Sequence, residues 1–214
     1  MAEIPNRAAA ENAFAAKVAR LLSSQRRELD TLLGFPPDPS RVPASFWTES
    51  EKELNEQLAA VLLLIWMQSA EHHGWNDGLD QGTSFATTHA AEVAAGFTAT
   101  TRDRLATVSA TWTPDMTQGA LQADLVSILG PDRAATLAVT ETTVAQTMGG
   151  SAAVDATVGL SEYDLWITAQ DNLVCPICGP LHGADRAEWS DQFPLGPPAH
   201  TNCRCVLEFA GITA

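Results

Sequence analysis

The four cysteines of this 214-residue chain lie close together near its end. Cys175 and Cys178 form a C-x2-C pair, and His200, Cys203 and Cys205 form a second group after 21 intervening residues. Small zinc sites are built from two such groups separated by a loop, since each group supplies part of a tetrahedron of thiolate and imidazole ligands. The spacing therefore predicts one structural zinc ion.

Five residues compete for the four positions around this ion. If Cys203 and Cys205 lie on a strand, their side chains point to opposite faces, and this favours the set Cys175, Cys178, His200 and Cys205. A turn at the same place would instead allow an all-cysteine site that includes Cys203. The fourth ligand is therefore left open between Cys203 and Cys205.

Other interpretations of these residues are weaker. A chain without an export signal would stay in a reducing cytosol, which opposes disulfides, and four cysteines within 31 residues are unusual for unrelated buried thiols. His182 is a further ligand candidate, but it lies in a loop with Gly183, and we interpret it as a solvated histidine.

Three charged residues are candidates for supporting the site. Arg204 lies between two ligand candidates, so its side chain has a fixed direction and could donate to Asp171 or Glu141. Glu141 falls within the apolar stripe of a predicted helix, where a carboxylate needs a partner. We expect Glu141 to tie that helix to the cysteine module. The alternative is a glutamate that reaches solvent or caps a neighbouring loop.

Hydrophobic periodicity predicts helices before the cysteines and strands around them. A first helix covers residues 6–33 and ends at Gly34, and a proline-rich linker occupies residues 35–46. Thr48 and Glu51 resemble a capping box for a second, central helix that runs to about residue 73 and is apolar on all faces over residues 58–67. Further helices are predicted as follows: one after residue 82, one from a Thr113 cap to residue 129, and one over residues 131–148.

The small residues of 149–159 predict a second flexible linker, after which the periodicity changes. Tyr163, Leu165 and Ile167 alternate with polar or aromatic neighbours at strand spacing, and residues 206–209 are a second strand candidate. The expected fold is α+β, with a mainly helical body and a small C-terminal zinc-stapled β module. Its expected divisions are an N-terminal helical arm (1–34), the helical body (35–150) and the zinc-binding module (151–214).

Composition argues against several function classes. The balance of 12 basic and 26 acidic residues gives a net charge of −14, which repels a phosphate backbone. After Arg133 the only basic residues are Arg186 and Arg204, so a zinc-ribbon nucleic-acid-binding protein, one alternative, would lack a basic surface for phosphate. No signal peptide is recognisable, and the longest apolar run, ten residues, is about half of a bilayer span.

A zinc-dependent hydrolase or deaminase is the alternative from another class. His89-x2-Glu92 has the wrong spacing for a deaminase, and residues 71–73 do not supply the His-Glu-x2-His motif of a zinc protease. A zinc ion closed by four protein ligands also leaves no position for a substrate. We therefore predict no catalytic residues.

The C-terminal half resembles the phage head-morphogenesis domain of the Mu F-like minor head proteins, over roughly residues 115–209. That signature joins a helix, a Trp-containing strand and two groups of metal-ligand residues in a fixed order. The matching residues are Arg133-Ala134, Thr140-Glu141, Trp166, Asp171, Cys175, Cys178, Leu181, Gly183, Pro197-Pro198, His200 and Cys203-Arg204-Cys205.

This resemblance implies a minor capsid protein that acts in head morphogenesis. It implies a few copies per virion, attached to the portal vertex or the inner capsid, and a role in assembly or in genome delivery. The expected partners are the portal protein and/or the major capsid protein, with self-association as a further option, and without a membrane or sequence-specific nucleic acid. The expected location is the virion, with the host cytoplasm during assembly.

Overall fold

The computed structural model describes residues 4–210, most of which form long helices. The helices are α1 (Arg7–Leu33), α2 (Ala44–His72), α3 (Leu79–Ala110), α4 (Gln118–Ile128), α5 (Pro131–Thr157) and the short α6 (Arg186–Trp189). The strands are β1 (Leu165–Ile167) and β2 (Val206–Glu208), which pair antiparallel with Trp166 opposite Leu207. The mainly helical fold with a small C-terminal sheet agrees with the sequence-based expectation.

The helical body is a bundle in which α2 packs against α3 and α5, and α5 also packs against α1. Its core combines large side chains from α1 and α2 with alanines from α3 and α5, and the small residues let these helices approach closely. The buried set includes Phe14, Val18, Leu22, Leu29, Leu54, Leu58, Leu62, Ala86, Ala90, Ala94, Ala134, Ala138 and Ala145. The first helix, predicted as an arm, packs here as part of this bundle.

The predicted flexible linker over residues 149–159 is wrong, because α5 continues to Thr157. Gly149 and Gly150 are contact positions inside the helix. A Cβ on Gly149 would lie 2.3 Å from the backbone oxygen of Trp66, and one on Gly150 would lie 3.0 Å from the ring of Phe209. The glycines thus allow α5 to touch α2 on one side and the end of the C-terminal module on the other.

Two predicted helix starts are also corrected. The second helix begins at Ala44, so Thr48 lies inside α2 and its hydroxyl donates to the Ala44 carbonyl rather than capping the helix. The fourth helix begins at Gln118, where the side chain of Thr117 accepts from the Ala120 N–H, a role that the sequence suggested for Thr113. The observed N-cap of α2 is Pro43, which has no side-chain cap, so the helix starts one turn before the position that the Thr48 signal indicated.

The C-terminal module contains little regular structure and has an aromatic core. The rings of Trp166 and Trp189 meet at 5.8 Å, and Phe193 lies 5.4 Å from Trp166. The backbone of Trp166 also pairs with residues 183–184, on the edge of β1 away from β2. The same core contains Cys178, Cys203 and Cys205, and Cys175 packs against it, so four of the five metal-ligand candidates belong to the module core.

Asp164 holds the ends of the module together from a fully buried position. Its carboxylate accepts from the Ser161 and Ala210 N–H groups at 3.1 and 2.9 Å and pairs with Arg186 at 3.3 Å. The indole of Trp189 donates to its carbonyl. The sequence showed this residue as one polar position of an alternating strand and did not indicate its role.

Across residues 4–210, none of the helices has both the length and the hydropathy required to cross a bilayer.

Candidate metal centre

The five predicted ligands lie together at one end of the module. The ligand atoms of Cys175, Cys178 and His200 lie within 4.8 Å of one another, and so do the sulfurs of Cys178, Cys203 and Cys205. All four cysteines are free thiols. Cys178 is shared by the two groups, so the C-x2-C turn faces the second group as the spacing predicted.

Distances within the cluster suit a metal ion bound by sulfur and nitrogen. The sulfurs of Cys178 and Cys203 are 3.8 Å apart. This distance matches the edge of about 3.8 Å expected for a tetrahedron with zinc–sulfur bonds of about 2.3 Å. The Nε2 atom of His200 lies 2.9 Å from the Cys175 sulfur and 3.1 Å from that of Cys178, so these side chains would open slightly around an ion.

The structure overturns the reason for preferring Cys205 to Cys203. That preference required both residues to lie on a strand, but β2 begins at Val206, after both of them. In this irregular segment both sulfurs turn towards Cys178 instead of alternating. Cys203 and Cys205 are both buried, and both therefore stay candidates for the fourth ligand.

The donor atoms are oriented by their neighbours. The N–H of Cys178 donates to the sulfur of Cys175 at 3.3 Å and so helps to fix the position of that sulfur. The Nδ1 atom of His200 lies 2.6 Å from the Thr201 carbonyl oxygen, which can accept its hydrogen, so the Nε2 atom faces the sulfurs. The buried indole N–H of Trp166 lies beside Cys205, and this contact opposes the rise in the pKa of that thiol. A nearby thiolate would accept from it.

The crowding of thiols changes their acidity. The hydrogen bond from Cys205 lowers the pKa of Cys203 to about 5, whereas burial raises the pKa of Cys178 to about 12. The pKa of Cys205 is raised by its hydrogen bond to Cys203 and by burial. Burial lowers the pKa of His200, but its hydrogen bond with Thr201 and the charges of nearby thiolates outweigh this and raise it. The backbone N–H of Cys178 also lowers the pKa of Cys175, so each ligand group contains one thiol with a lowered pKa and one with a raised pKa.

Arg204 pairs with Asp171 at 2.8 Å, which is one of the two pairings that the sequence left open. The hydrogen bond from Arg204 lowers the pKa of Asp171 below its usual range. Asp171 also accepts from the Leu173 N–H, at the start of the turn that carries Cys175. The ion pair therefore links the segment before the first ligand group to the middle of the second.

Glu141 does not connect α5 to the cysteines, and this expectation is corrected. Its carboxylate lies 2.6 Å from the Nε2 atom of His89 on α3, and its side chain is 8% exposed. The hydrogen bond to Glu141 raises the pKa of His89 more strongly than burial lowers it. The buried carboxylate has a partner, as expected, but that partner belongs to the helical body.

A row of threonines connects α5 to the second ligand group. The hydroxyl of Thr143 donates to the Cys203 carbonyl at 2.5 Å, and Thr140 accepts from the Asn202 N–H at 2.9 Å. Thr136 accepts from the Asn202 side chain. Together with Thr147, these residues recur at the three- and four-residue steps of one helix face. The apolar stripe that contains Glu141 is evident from the sequence, and this threonine stripe is a second face of the same helix.

His182 lies apart from the cluster, on the exposed surface beside the end of β1. Its Nδ1 atom accepts from the Thr168 N–H at 3.2 Å, and its Nε2 atom contacts the Gln170 side chain. Both ring nitrogens are thus engaged by neighbours from the segment that follows β1.

The cavity at the cluster has a volume of about 20 Å³ and is lined by the cysteines, His200 and nearby loop residues. That is room for an ion or a water molecule, whereas small-molecule sites measure roughly 300–1,000 Å³. The arrangement can bind an ion and cross-link two loops.

Fold and site together define a helical-bundle protein with a C-terminal module whose clustered cysteines and histidine could hold a metal ion. This chain belongs to the phage Mu protein F-like family, whose model matches residues 75–208, or 134 of the 214 residues. The match confirms the resemblance and extends it to α3, well before residue 115. Membership indicates a protein of the phage head and its morphogenesis.

Neither the curated proteins nor the solved structures contain a significant match to the chain.

Proposed function

We propose that this protein is a minor head protein that attaches to the portal vertex or the inner capsid and aids assembly or genome delivery. The observation that carries the proposal is the family match over residues 75–208, which runs from just before α3 to the last residue of β2. It therefore includes the complete ligand cluster and the helix on which the cluster is mounted. The match makes other head components the expected partners.

A structural ion would serve such a protein by fixing the module on the body. Cys175 and Cys178 would supply one half of the site, and His200 with Cys203 or Cys205 the other. Since Cys203 lies 3.8 Å from Cys178, we favour Cys203 as the fourth ligand. Zinc is the ion that this donor set suits best, because thiolates and imidazole are its usual structural ligands.

The choice of ligand has a direct test in two matched variants. We expect Cys203→Ser to lower zinc affinity at least tenfold more than Cys205→Ser, measured by competition with a chromophoric chelator under reducing conditions. The reverse order would identify Cys205 as the ligand.

Catalysis is the competing function, and the size and lining of the site oppose it. The donor atoms converge on a space of about 20 Å³, which leaves no volume for a substrate beside an ion. We propose a structural role for the cluster, with Asp171 and Arg204 holding its two loops together.

The head assignment is tested in the particle. We expect the protein to co-purify with heads at a few copies each, and an asymmetric cryo-EM reconstruction to place its bundle at the portal vertex or inner capsid wall. Cross-linking mass spectrometry on the same particles should join lysines of the portal or major capsid protein to Lys17 or Lys52, which lie on α1 and α2. Particles that assemble and infect normally without the protein in them would overturn the proposal.

A further inference from the structure

One arginine at the start of α1 is connected to the metal centre by hydrogen bonds to side chains of α5. Arg7 is 4% exposed, and its guanidinium donates to the Thr143 hydroxyl oxygen at 2.6 Å and to the Gln146 side chain at 3.3 Å. It also pairs with Glu11 at 2.7 Å within α1. Thr143 is the residue whose hydroxyl donates to the carbonyl of Cys203. A cation at one end of the chain is thus two hydrogen bonds from a ligand candidate at the other.

The hydrogen-bonding capacity of a hydroxyl determines where the hydrogen of Thr143 points. A threonine hydroxyl has one hydrogen to donate and two lone pairs that accept. Because Arg7 occupies a lone pair of Thr143, the hydroxyl hydrogen must point to an acceptor. Two carbonyls are within reach, that of Cys203 at 2.5 Å and that of Val139 at 3.0 Å. A charged donor also polarises the hydroxyl and strengthens the bond that it donates.

We infer that Arg7 is a positioning residue for the metal centre, and that docking of α1 on α5 and binding of an ion by the module stabilise each other. This inference rests on the metal site proposed above. The segment after His200 has little regular structure to hold it, and Asn202 within it has a φ of 63°, in the left-handed region. Its conformation therefore depends on contacts with the α5 threonines. Arg7 lies outside the matched residues 75–208, so α1 would position the ligand segment from outside the region that contains the ligands.

The test compares zinc affinities of full-length variants under reducing conditions. Arg7→Ala should lower the zinc affinity about tenfold. This is at the lower end of the affinity losses that follow when a residue that orients a metal ligand is removed. Arg20→Ala, at an exposed position of the same helix, should leave it unchanged. Thr143→Val should lower it as much as Arg7→Ala or more, and Thr143→Ser, which keeps the hydroxyl, should restore it.

The double variant distinguishes an effect through the Arg7–Thr143–Cys203 hydrogen bonds, here called the relay, from general destabilisation. If Arg7 acts through Thr143, adding Arg7→Ala to Thr143→Val should change the affinity little further. Independent, additive losses would overturn the relay, as would wild-type affinity in a folded Arg7→Ala protein. Should Arg7→Ala fail to fold, the pair Thr143→Val and Thr143→Ser still decides whether the hydroxyl positions the ligand.

A second readout distinguishes failure of this inference from failure of the metal proposal. In metal-free protein, the contact predicts that Arg7→Ala increases the rate of Cys203 alkylation severalfold, because the segment that carries Cys203 is held less firmly. If the wild-type protein binds no zinc and Arg7→Ala still increases the rate of Cys203 alkylation, the metal proposal and its coupling are wrong. In that case Arg7 still positions the segment that carries Cys203. Unchanged alkylation together with normal zinc affinity would contradict the contact itself.

Discussion

The helical body and the C-terminal module are stabilised in different ways. The body buries aliphatic residues along five long helices, and its core is continuous from α1 to α5. In its described residues, up to 210, the module has two strands of three residues and an α-helix of four, and its core joins tryptophans to cysteines. Burial of apolar surface can support the first region, whereas so small a second core requires an additional cross-link.

Helix α5 is what the two regions share. Its alanine stripe lies in the body core, while its threonines bind the loop that carries Cys203. A chain with a flexible linker at residue 150 would have let the module fold and unfold alone. Because α5 is continuous, the loop that carries the metal ligands is instead held by contacts with the helical body.

The largest effect should follow from truncating a side chain in the body core. Phe14 is 2% exposed on α1, and we expect Phe14→Ala to lower the free energy of unfolding by about 4 kcal/mol because it leaves a cavity. Phe35→Ala, at a 48% exposed ring, is the matched control and should cost about 1 kcal/mol. Urea denaturation followed by circular dichroism measures both. Equal, small losses would mean that α1 is a detachable arm.

A somewhat smaller effect is expected where the two regions meet. Gly149→Ala should destabilise the protein by about 3 kcal/mol, since its Cβ would lie 2.3 Å from the Trp66 carbonyl oxygen. Gly96→Ala is the control, because that helical position faces open space and alanine should there add about 0.5–1 kcal/mol of stability. If both variants behave alike in denaturation, α5 does not pack tightly on α2.

The ion pair between α3 and α5 should give the smallest effect and one that depends on pH. Since Glu141 raises the pKa of His89, the stabilisation is fully present below the unfolded pKa of about 6.5 and is lost as the pH rises through the folded pKa. We expect His89→Gln to cost about 2 kcal/mol at pH 5.5 and less at pH 8.5. Thermal melts at both pH values test this.

Glu141→Gln supplies the control for that pH dependence. It removes the carboxylate but keeps a side chain of similar size, so the difference between the two pH values that is due to His89 should disappear. A difference that persists in Glu141→Gln would assign the pH dependence to other groups.

The sequence predicted those parts of the fold that have a local signal. The bounds of α1, the positions of the two strands and the two groups of metal ligands all follow from periodicity or spacing. The role of Gly149 does not, because a glycine pair in a linker and one at a helix contact look alike until the facing residue, Trp66, is known. The partner of Glu141 is likewise 52 residues away, where no local pattern indicates it.

The premise behind the preference for Cys205 over Cys203, that both lie on a strand, fails for a similar physical reason. Whether two residues of a C-x-C pair face the same side depends on the point at which the strand begins. Here β2 starts one residue after Cys205. The threonine stripe of α5, in contrast, was present at helical spacing and could have been recognised as a second, polar contact face.

The most direct test of the account is the metal content of the full-length protein, measured by native mass spectrometry under reducing conditions. We predict one zinc ion per chain in the wild type and none in Cys178→Ser, the cysteine shared by both ligand groups. On chelation, amide signals of residues 160–210 should broaden in NMR spectra while those of α1, α2 and α3 persist. A wild-type chain that carries no metal and keeps a fully ordered module would contradict the central claim.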